Sequence, residues 1–180
     1  HRTARLMREN DLKARQKTRF KRTTDGNHGE PVAPNLLDQD FNCDGPDQKW
    51  GVDISYIWTA KGWLCLAIVV DLYSRRIIGW GARGRMKKDL AICALKKAIA
   101  IRQPKPGLIQ HSDRGSQYAS YEYRRILKAH SMLPSMSGKG NCYDNAMVET
   151  VFKTIKSELS WRTVFQTRND AIKVIGEYID

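Results

Sequence analysis

Residues 63–70 read Trp-Leu-Cys-Leu-Ala-Ile-Val-Val, eight positions without a polar side chain. A strand that is apolar on both faces can be buried only between two layers of packing. The run therefore predicts a central strand over residues 63–72, in a sheet covered on both sides. Just upstream, Trp50, Val52, Ile54, Tyr56 and Trp58 alternate with Gly51, Asp53, Ser55 and Ile57. That pattern is mostly of period two and predicts another strand. Residues 59–62 form a turn, and Ser74, Arg75 and Arg76 form a second one before a third strand over residues 77–82. Three strands on short connections make an antiparallel meander.

The period then changes. Leu90, Ala91, Ala94, Leu95, Ala98 and Ile99 recur at three- and four-residue spacing, as on a helix. The Pro- and Gly-containing stretch at 103–107 stops it. Residues 108–111 predict a fourth strand that runs into Ser112, Asp113, Arg114 and Gly115. Ser120 is placed to cap a helix over 121–130, and residues 133–136 predict a fifth strand. A glycine-bearing loop over 137–142 leads to a helix starting near Asp144 or Asn145, with Val148, Phe152, Ile155 and Leu159 as its apolar stripe. Thr167 and Asp170 resemble a capping box for a last helix, with Ala171, Ile172, Ile175, Tyr178 and Ile179 inward. A meander followed by alternating helices and strands predicts an α/β fold on a sheet of mixed strand directions.

The 180 residues suit one domain with an extra arm. No apolar run approaches 18 residues and no signal-peptide pattern is present, so a non-secreted, non-membrane protein is expected. Cys43, Cys65, Cys93 and Cys142 are scattered without a CxxC pair, which argues against zinc and against a disulfide framework. The net charge of +12 favours polyanionic partners. It is concentrated at one end: residues 1–22 carry +7, including Arg15, Lys17, Arg19, Lys21 and Arg22. This stretch reads as a short helix and a basic extension. Residues 23–47, rich in Gly, Pro, Asn and Asp, have linker chemistry, and the core is expected over 48–180.

Three acids stand out. Asp53 lies on the polar side of an otherwise apolar strand, where an acid is costly unless paired or metal-bound. Asp113 follows the C-terminal end of a strand, where α/β sheets place ligand sites. Glu149 sits in the first turns of a helix behind the glycine-bearing loop. Singly, each has an ordinary explanation: Asp113 as the cap of its turn, Glu149 as a favourable helix N-terminal charge, Asp53 as half of an ion pair. Together at one sheet edge they suit hard divalent cations. Two such ions about 4 Å apart clamp the attacking and leaving oxygens of a phosphoryl displacement. Glu149, Lys153 and Lys156 share one helix face by their i, i+4, i+7 spacing; the alternative for the first two is a surface salt bridge. Asp71 is expected to cap the turn at Ser74 and Arg75. His111 reads as a satisfied strand histidine or, less simply, as a proton carrier.

Four stretches carry a family resemblance: residues 50–57 (WGVDISYI), 70–80 (VDLYSRRIIGW), 111–118 (HSDRGSQY) and 135–149 (SMSGKGNCYDNAMVE). Thirty-five residues separate Asp113 from Glu149. The set resembles the integrase-type (DDE) catalytic core of bacterial insertion-sequence transposases, which are related to retroviral integrases. The resemblance covers roughly residues 48–180.

It implies a ribonuclease H-like fold, a five-stranded mixed sheet flanked by helices. Asp53, Asp113 and Glu149 become the catalytic, metal-binding triad, taking two Mg²⁺ ions with Mn²⁺ as substitute. The implied activity is DNA cleavage followed by strand transfer. A nuclease that only hydrolyses and an inactive DNA-binding core are the alternatives. Lys153 and Lys156 match positions that approach terminal DNA. Residues 137–145 match an active-site loop in which Asn141, Asp144 and Asn145 either contact DNA or shape the turn, and Asx-turn chemistry favours the turn. The implied partners are element-end and target DNA, with further copies of the chain in the active complex, in a bacterial cytoplasm at the nucleoid. Family members carry a helix-turn-helix region ahead of the core and continue beyond it. Only the tail of that region is expected here, so the chain reads as a core trimmed at both ends.

Overall fold

The computed structural model describes residues 2–10, 29–141 and 143–179. Its centre is a five-stranded sheet. β1 (Lys49–Ile57), β2 (Leu64–Asp71) and β3 (Ile77–Arg83) form the antiparallel meander. β4 (Ile109–Ser112) and β5 (Leu133–Met136) add in parallel on the other side of β1, giving the order β3-β2-β1-β4-β5. The helices are α1 (Arg2–Glu9), α2 (Lys88–Arg102), α3 (Ser116–Ala119), α4 (Tyr121–Ala129), α5 (Ala146–Ile155) and α6 (Arg168–Ile179). α5 runs on without a break into a wider, π-helical turn over Lys156–Ser160. This mixed sheet with flanking helices is the architecture that the family resemblance implies.

The apolar run forms β2, and all eight residues of that strand, Asp71 at its end included, are buried. It lies beside the middle strand β1, not in the middle itself. Cys65, Ala67 and Val69 point into a core shared with Leu90, Leu95 and Ala98 of α2 and Tyr123 and Leu127 of α4. Leu64, Leu66, Ile68 and Val70 point into a second core with Val148, Phe152 and Ile155 of α5 and Ala171 and Ile175 of α6. Burying one such aliphatic side chain is worth about 1.5–3 kcal/mol, so β2 anchors both layers at once.

Two glycines let the helices come close to the sheet. A Cβ on Gly79 of β3 would lie 2.4 Å from the Ala94 carbonyl oxygen and 2.7 Å from the Ala98 nitrogen of α2. A Cβ on Gly51 of β1 would lie 2.5 Å from Cγ2 of Val148. The second approach seats the first turns of α5 directly on β1.

Local chemistry follows the sequence in several places. Thr167 Oγ1 accepts from the Asp170 backbone N–H (3.1 Å) and Asp170 Oδ2 accepts from that of Thr167 (3.0 Å), the reciprocal pair of a capping box. Buried Asp71 accepts from the backbone N–H of Ser74 (3.0 Å) and from its hydroxyl (2.6 Å), so it caps its turn. Cys43, Cys65 and Cys93 are free thiols; Cys142 lies outside the described residues. No described helix is long and apolar enough to cross a membrane.

Elsewhere the structure departs from the sequence reading. Ser120 gives no side-chain cap to α4; its hydroxyl donates to the Gln117 carbonyl (2.8 Å) and closes the one-turn α3, which the sequence did not predict. The alternation of β1 ends one residue early: Ile57 is buried and Trp58 is 53% exposed. Tyr178 faces outward and hydrogen bonds Glu158. Residues 34–47, read as linker chemistry, are packed on the sheet. Leu37 is buried, its N–H and that of Leu36 reach the Ser135 hydroxyl, and the Pro34 carbonyl accepts from the Met136 N–H. This segment covers the outer edge of β5.

Gly79→Ala should destabilise the fold by about 1–3 kcal/mol, because the new methyl meets α2 backbone that cannot rotate away. Urea denaturation followed by circular dichroism measures this. A midpoint equal to that of the wild type would show that α2 sits farther from β3.

Candidate active site

The parallel pairing of β1 and β4 sets the site. Lys49, Trp50 and Gly51 lie opposite Ile109, Gln110 and His111. Two residues beyond that last pair on each strand are Asp53 and Asp113, so the same register carries both acids to the end of β4. Asp53 is half-buried, and its Oδ1 accepts from the Ile54 N–H (2.7 Å). Asp113 is also half-buried, and its Oδ1 accepts from the Gly115 N–H (2.9 Å) in the turn after β4. Glu149 projects from the first turns of α5, the helix seated on Gly51, and is half-buried too.

The acids feel one another's charge. The Asp53 carboxyl is pushed up to about 8, first by burial, then by the negative charge of Asp113, with a smaller push from Glu149. Its hydrogen bond from Ile54 and the nearby Lys156 ammonium pull the other way and lose. Asp53 thus holds its proton near neutral pH, as expected for an acid among like charges. Among the described residues, no three His, Cys, Asp or Glu side chains lie close enough together to hold a metal ion. The arrangement is two acids on adjacent strands with a third on the helix packed over them.

Lys156 and Lys153 separate. Lys153 is exposed. Lys156, at the start of the π-helical turn, points inward, and its Nζ donates to the Ser55 hydroxyl (2.6 Å). Burial lowers the affinity of its ammonium for protons, and the charge of Asp53 partly restores it. Ser55 was missed by the sequence reading. The available signal was its position two residues after Asp53, on the same strand face.

Loop 137–145 is tied down from within. Fully buried Asp144 accepts from the Gly138 N–H (2.7 Å), Asn141 Nδ2 (2.7 Å) and Asn35 Nδ2 (3.1 Å). Asn141 Oδ1 accepts from the Tyr143 N–H (3.1 Å), and buried Asn145 donates to the Val52 carbonyl (3.4 Å). The hydrogen bonds of both asparagines serve the loop. Arg114 Nε donates to the Ser137 carbonyl (2.7 Å), a second brace the sequence did not suggest. His111 is a satisfied strand histidine, flanked by the hydroxyls of Ser135 (2.8 Å) and Ser137 (3.2 Å). Burial lowers its pKa to about 4, against the opposing charge of Asp144, so the ring is neutral at pH 7. Buried Tyr118 lies behind the acids, its phenol pushed well above its ordinary range by burial and then by Asp53 and Asp113. Arg15, Lys17, Arg19, Lys21 and Arg22 lie outside the described residues.

Residues 44–142 match the family model for the integrase core domain. The chain belongs to the integrase core domain family. This integrase core is 46% identical over 179 residues to an uncharacterized 31 kDa protein of insertion element IS600 from Shigella sonnei, covering 99% of this chain and 66% of that protein. It is 43% identical over 174 residues to transposase InsF of insertion sequence IS3A from Escherichia coli K12, covering 97% of this chain and 60% of that one. The chain therefore spans somewhat under two thirds of these relatives' lengths. Among solved structures, it superposes on a chain of the simian T-cell lymphotropic virus intasome with a TM-score of 0.59 at 20% identity, covering 76% of this chain and 46% of the other. The HTLV-2 integrase catalytic core, solved with magnesium, gives a TM-score of 0.52 at 20% identity, covering 62% and 69%. At that identity the likeness establishes the fold.

The raised Asp53 carboxyl has a consequence for stability. Its folded-state pKa of about 8 lies above its ordinary value of 3.8. The folded chain therefore holds more protons than the unfolded one between those limits, and stability falls as pH rises through that window. In chelator-containing buffer the melting temperature should drop between about pH 6 and pH 8.5. Asp53→Asn, which carries no charge, should flatten that slope and melt higher at pH 8.5. If Asp53→Asn keeps the wild-type slope, the titrating group lies elsewhere.

Proposed function

We propose that this chain is the catalytic core of a DNA transposase, with Asp53, Asp113 and Glu149 as its catalytic acids. The observation that carries the reading is the mutual placement of Asp53 and Asp113 on neighbouring parallel strands, under the helix that bears Glu149, in a chain of the integrase core family. Transposase InsF supports the assignment to transposition, and the two integrase structures share its fold.

The donor chemistry fits divalent cations. Carboxylate oxygens are hard ligands, and a cation bound there would favour the ionised form of Asp53 that burial and then the charge of Asp113 disfavour. Asp53, Asp113 and Glu149 would hold Mg²⁺, with Mn²⁺ as substitute and two ions in the active complex; magnesium is present in the HTLV-2 integrase core structure. Bound there, such ions supply Lewis acidity for the attacking and leaving oxygens of a phosphodiester.

The chain's own groups do the rest. Asp53 gives up its proton before its oxygens serve as ligands. Lys156, held by Ser55, places a positive charge beside the acids where a phosphate arrives. Lys153 reaches DNA from the exposed side of the same helix. Asn141 and Asn145 set the loop beside the strand being cut. The basic residues Arg15, Lys17, Arg19, Lys21 and Arg22 add sequence-blind phosphate contacts. In the reaction, water or a 3′-hydroxyl attacks the phosphodiester at an element end and expels the element's 3′-oxygen, which leaves as a hydroxyl; that 3′-hydroxyl then attacks a target phosphodiester and expels a target 3′-oxygen, which takes up a proton. No covalent protein–DNA intermediate is needed. Element ends and target DNA are the partners, further copies of the chain complete the active complex, and the setting is the bacterial cytoplasm at the nucleoid.

Glu149→Gln should lower both cleavage and joining of an element-end duplex by about 10³-fold or more, while duplex affinity stays near that of the wild type. Full joining by this variant in Mg²⁺ removes Glu149 from the site. Hydrolysis without any joining by the wild type assigns the core to a nuclease instead. Lys156→Ala should weaken duplex binding and reduce its salt dependence by about one phosphate contact, with a smaller effect on melting temperature. Equal losses in binding and stability would make Lys156 a packing residue.

A further inference from the structure

We infer that the tip of the β1–β2 hairpin is a second DNA-contacting surface, built to stack unpaired bases of a single strand. Trp58 and Trp63 face each other across the hairpin as an edge-to-face pair with ring centroids 4.9 Å apart. They are 53% and 52% exposed, so about half of each indole is open to solvent. Below them Tyr56, packed against the core, meets Trp63 edge-on with ring centroids 5.9 Å apart.

The surroundings of the pair are uniformly positive. Three segments meet at this tip. The hairpin itself spans 57–64. The loop ahead of α6 joins it through the Thr59–Phe165 bridge and the bond from the Ala60 N–H to the Phe165 carbonyl (2.8 Å). The end of β3 joins it through Arg83, which lies opposite Cys65. Arg168 ties all three together: its Nε donates to the Trp63 carbonyl (3.1 Å), and its guanidinium lies against both Gly62 and Gly84. Residues 57–64, 82–86 and 161–168 contain Lys61, Arg83, Arg85, Arg162 and Arg168 and no Asp or Glu. All five cations are exposed. The nearest acid in sequence, Asp170, is occupied in the cap of α6.

Half-open aromatic rings set among cations are the recognition chemistry of single-stranded nucleic acid: rings stack on bases while Lys and Arg follow the phosphates. A paired base in a duplex hides its faces, so the partner is a strand with bases out of the helix. The inference rests on the proposed reaction. Trp58 follows Asp53 by five residues of extended chain, about 16 Å; that odd separation sets the indoles with Tyr56 toward the α2 side of the sheet, so a strand leaving the acids rounds the end of β1 to reach them.

Equilibrium binding of the whole chain to a fluorescent single-stranded oligodeoxynucleotide, and to the blunt duplex of the same sequence, tests this. Trp58→Ala/Trp63→Ala should weaken single-strand binding by about tenfold or more and duplex binding by less than about twofold. Trp58→Tyr/Trp63→Tyr keeps a stacking ring and should restore most single-strand affinity, which separates stacking from folding damage. Lys61→Glu, at an exposed turn, should weaken single-strand binding and reduce its salt dependence. If the wild type binds DNA and the alanine variant binds both forms equally well, this surface is not a DNA contact, and the transposase reading survives. Should the wild type bind neither form, both readings fall together. If sedimentation instead shows a dimer that the alanine variant loses, the patch belongs to a second copy of the chain and the inference is overturned.

Discussion

The parallel contact between β1 and β4 is the constraint from which the site follows. Once the first residues of β1 pair with Ile109, Gln110 and His111, the register delivers Asp53 and Asp113 to the same end of the sheet. Burial, and then the charge of Asp113, raise the Asp53 carboxyl to about 8, so it holds its proton near neutral pH. Buried acids are normally placed where they meet a cation or a donor. Here the nearby ammonium of Lys156 offsets only part of the repulsion. An acid that keeps its proton beside Asp113 is therefore a property of the folded state. It is maintained by apolar packing on both faces of β2 and by the seat that Gly51 makes for α5.

Much of this was legible in the amino-acid sequence because the relevant signals are local. Alternation marked β1, the wholly apolar run marked β2, and the 3.6-residue stripe marked α2. Asp71 and the Thr167–Asp170 pair act within a few residues of themselves, so turn and cap chemistry identified them correctly. The acids are different. Each had a bland local explanation, and only the family resemblance joined them at the level of sequence. Nothing in the spacing of residues 53 and 113 brings them to one end of the sheet; the parallel pairing of β1 with β4 does.

What the sequence concealed was set by tertiary contact. Ser55 looks like any polar residue on a strand until Lys156, about a hundred positions later, reaches its hydroxyl. The widened turn after Ile155 has no local sequence mark, yet Lys156 inside it turns inward while Lys153 stays in solvent. Residues 34–47 carry the Gly, Pro and Asn of an irregular backbone. That composition predicts the absence of regular structure, not the absence of packing, and Leu37 is buried all the same. Ser120 was a reasonable cap by residue type, but α3 ends on it first and takes its hydroxyl.

The strap over the edge of β5 has a topological result. Asn35 is hydrogen-bonded to Asp144, the residue that gathers the loop ahead of α5, and Leu36 and Leu37 are pinned to Ser135, the partner of His111. The strap thus joins the edge of the sheet to the loop ahead of α5, so loosening it would release that loop and the Ser135–His111 contact together.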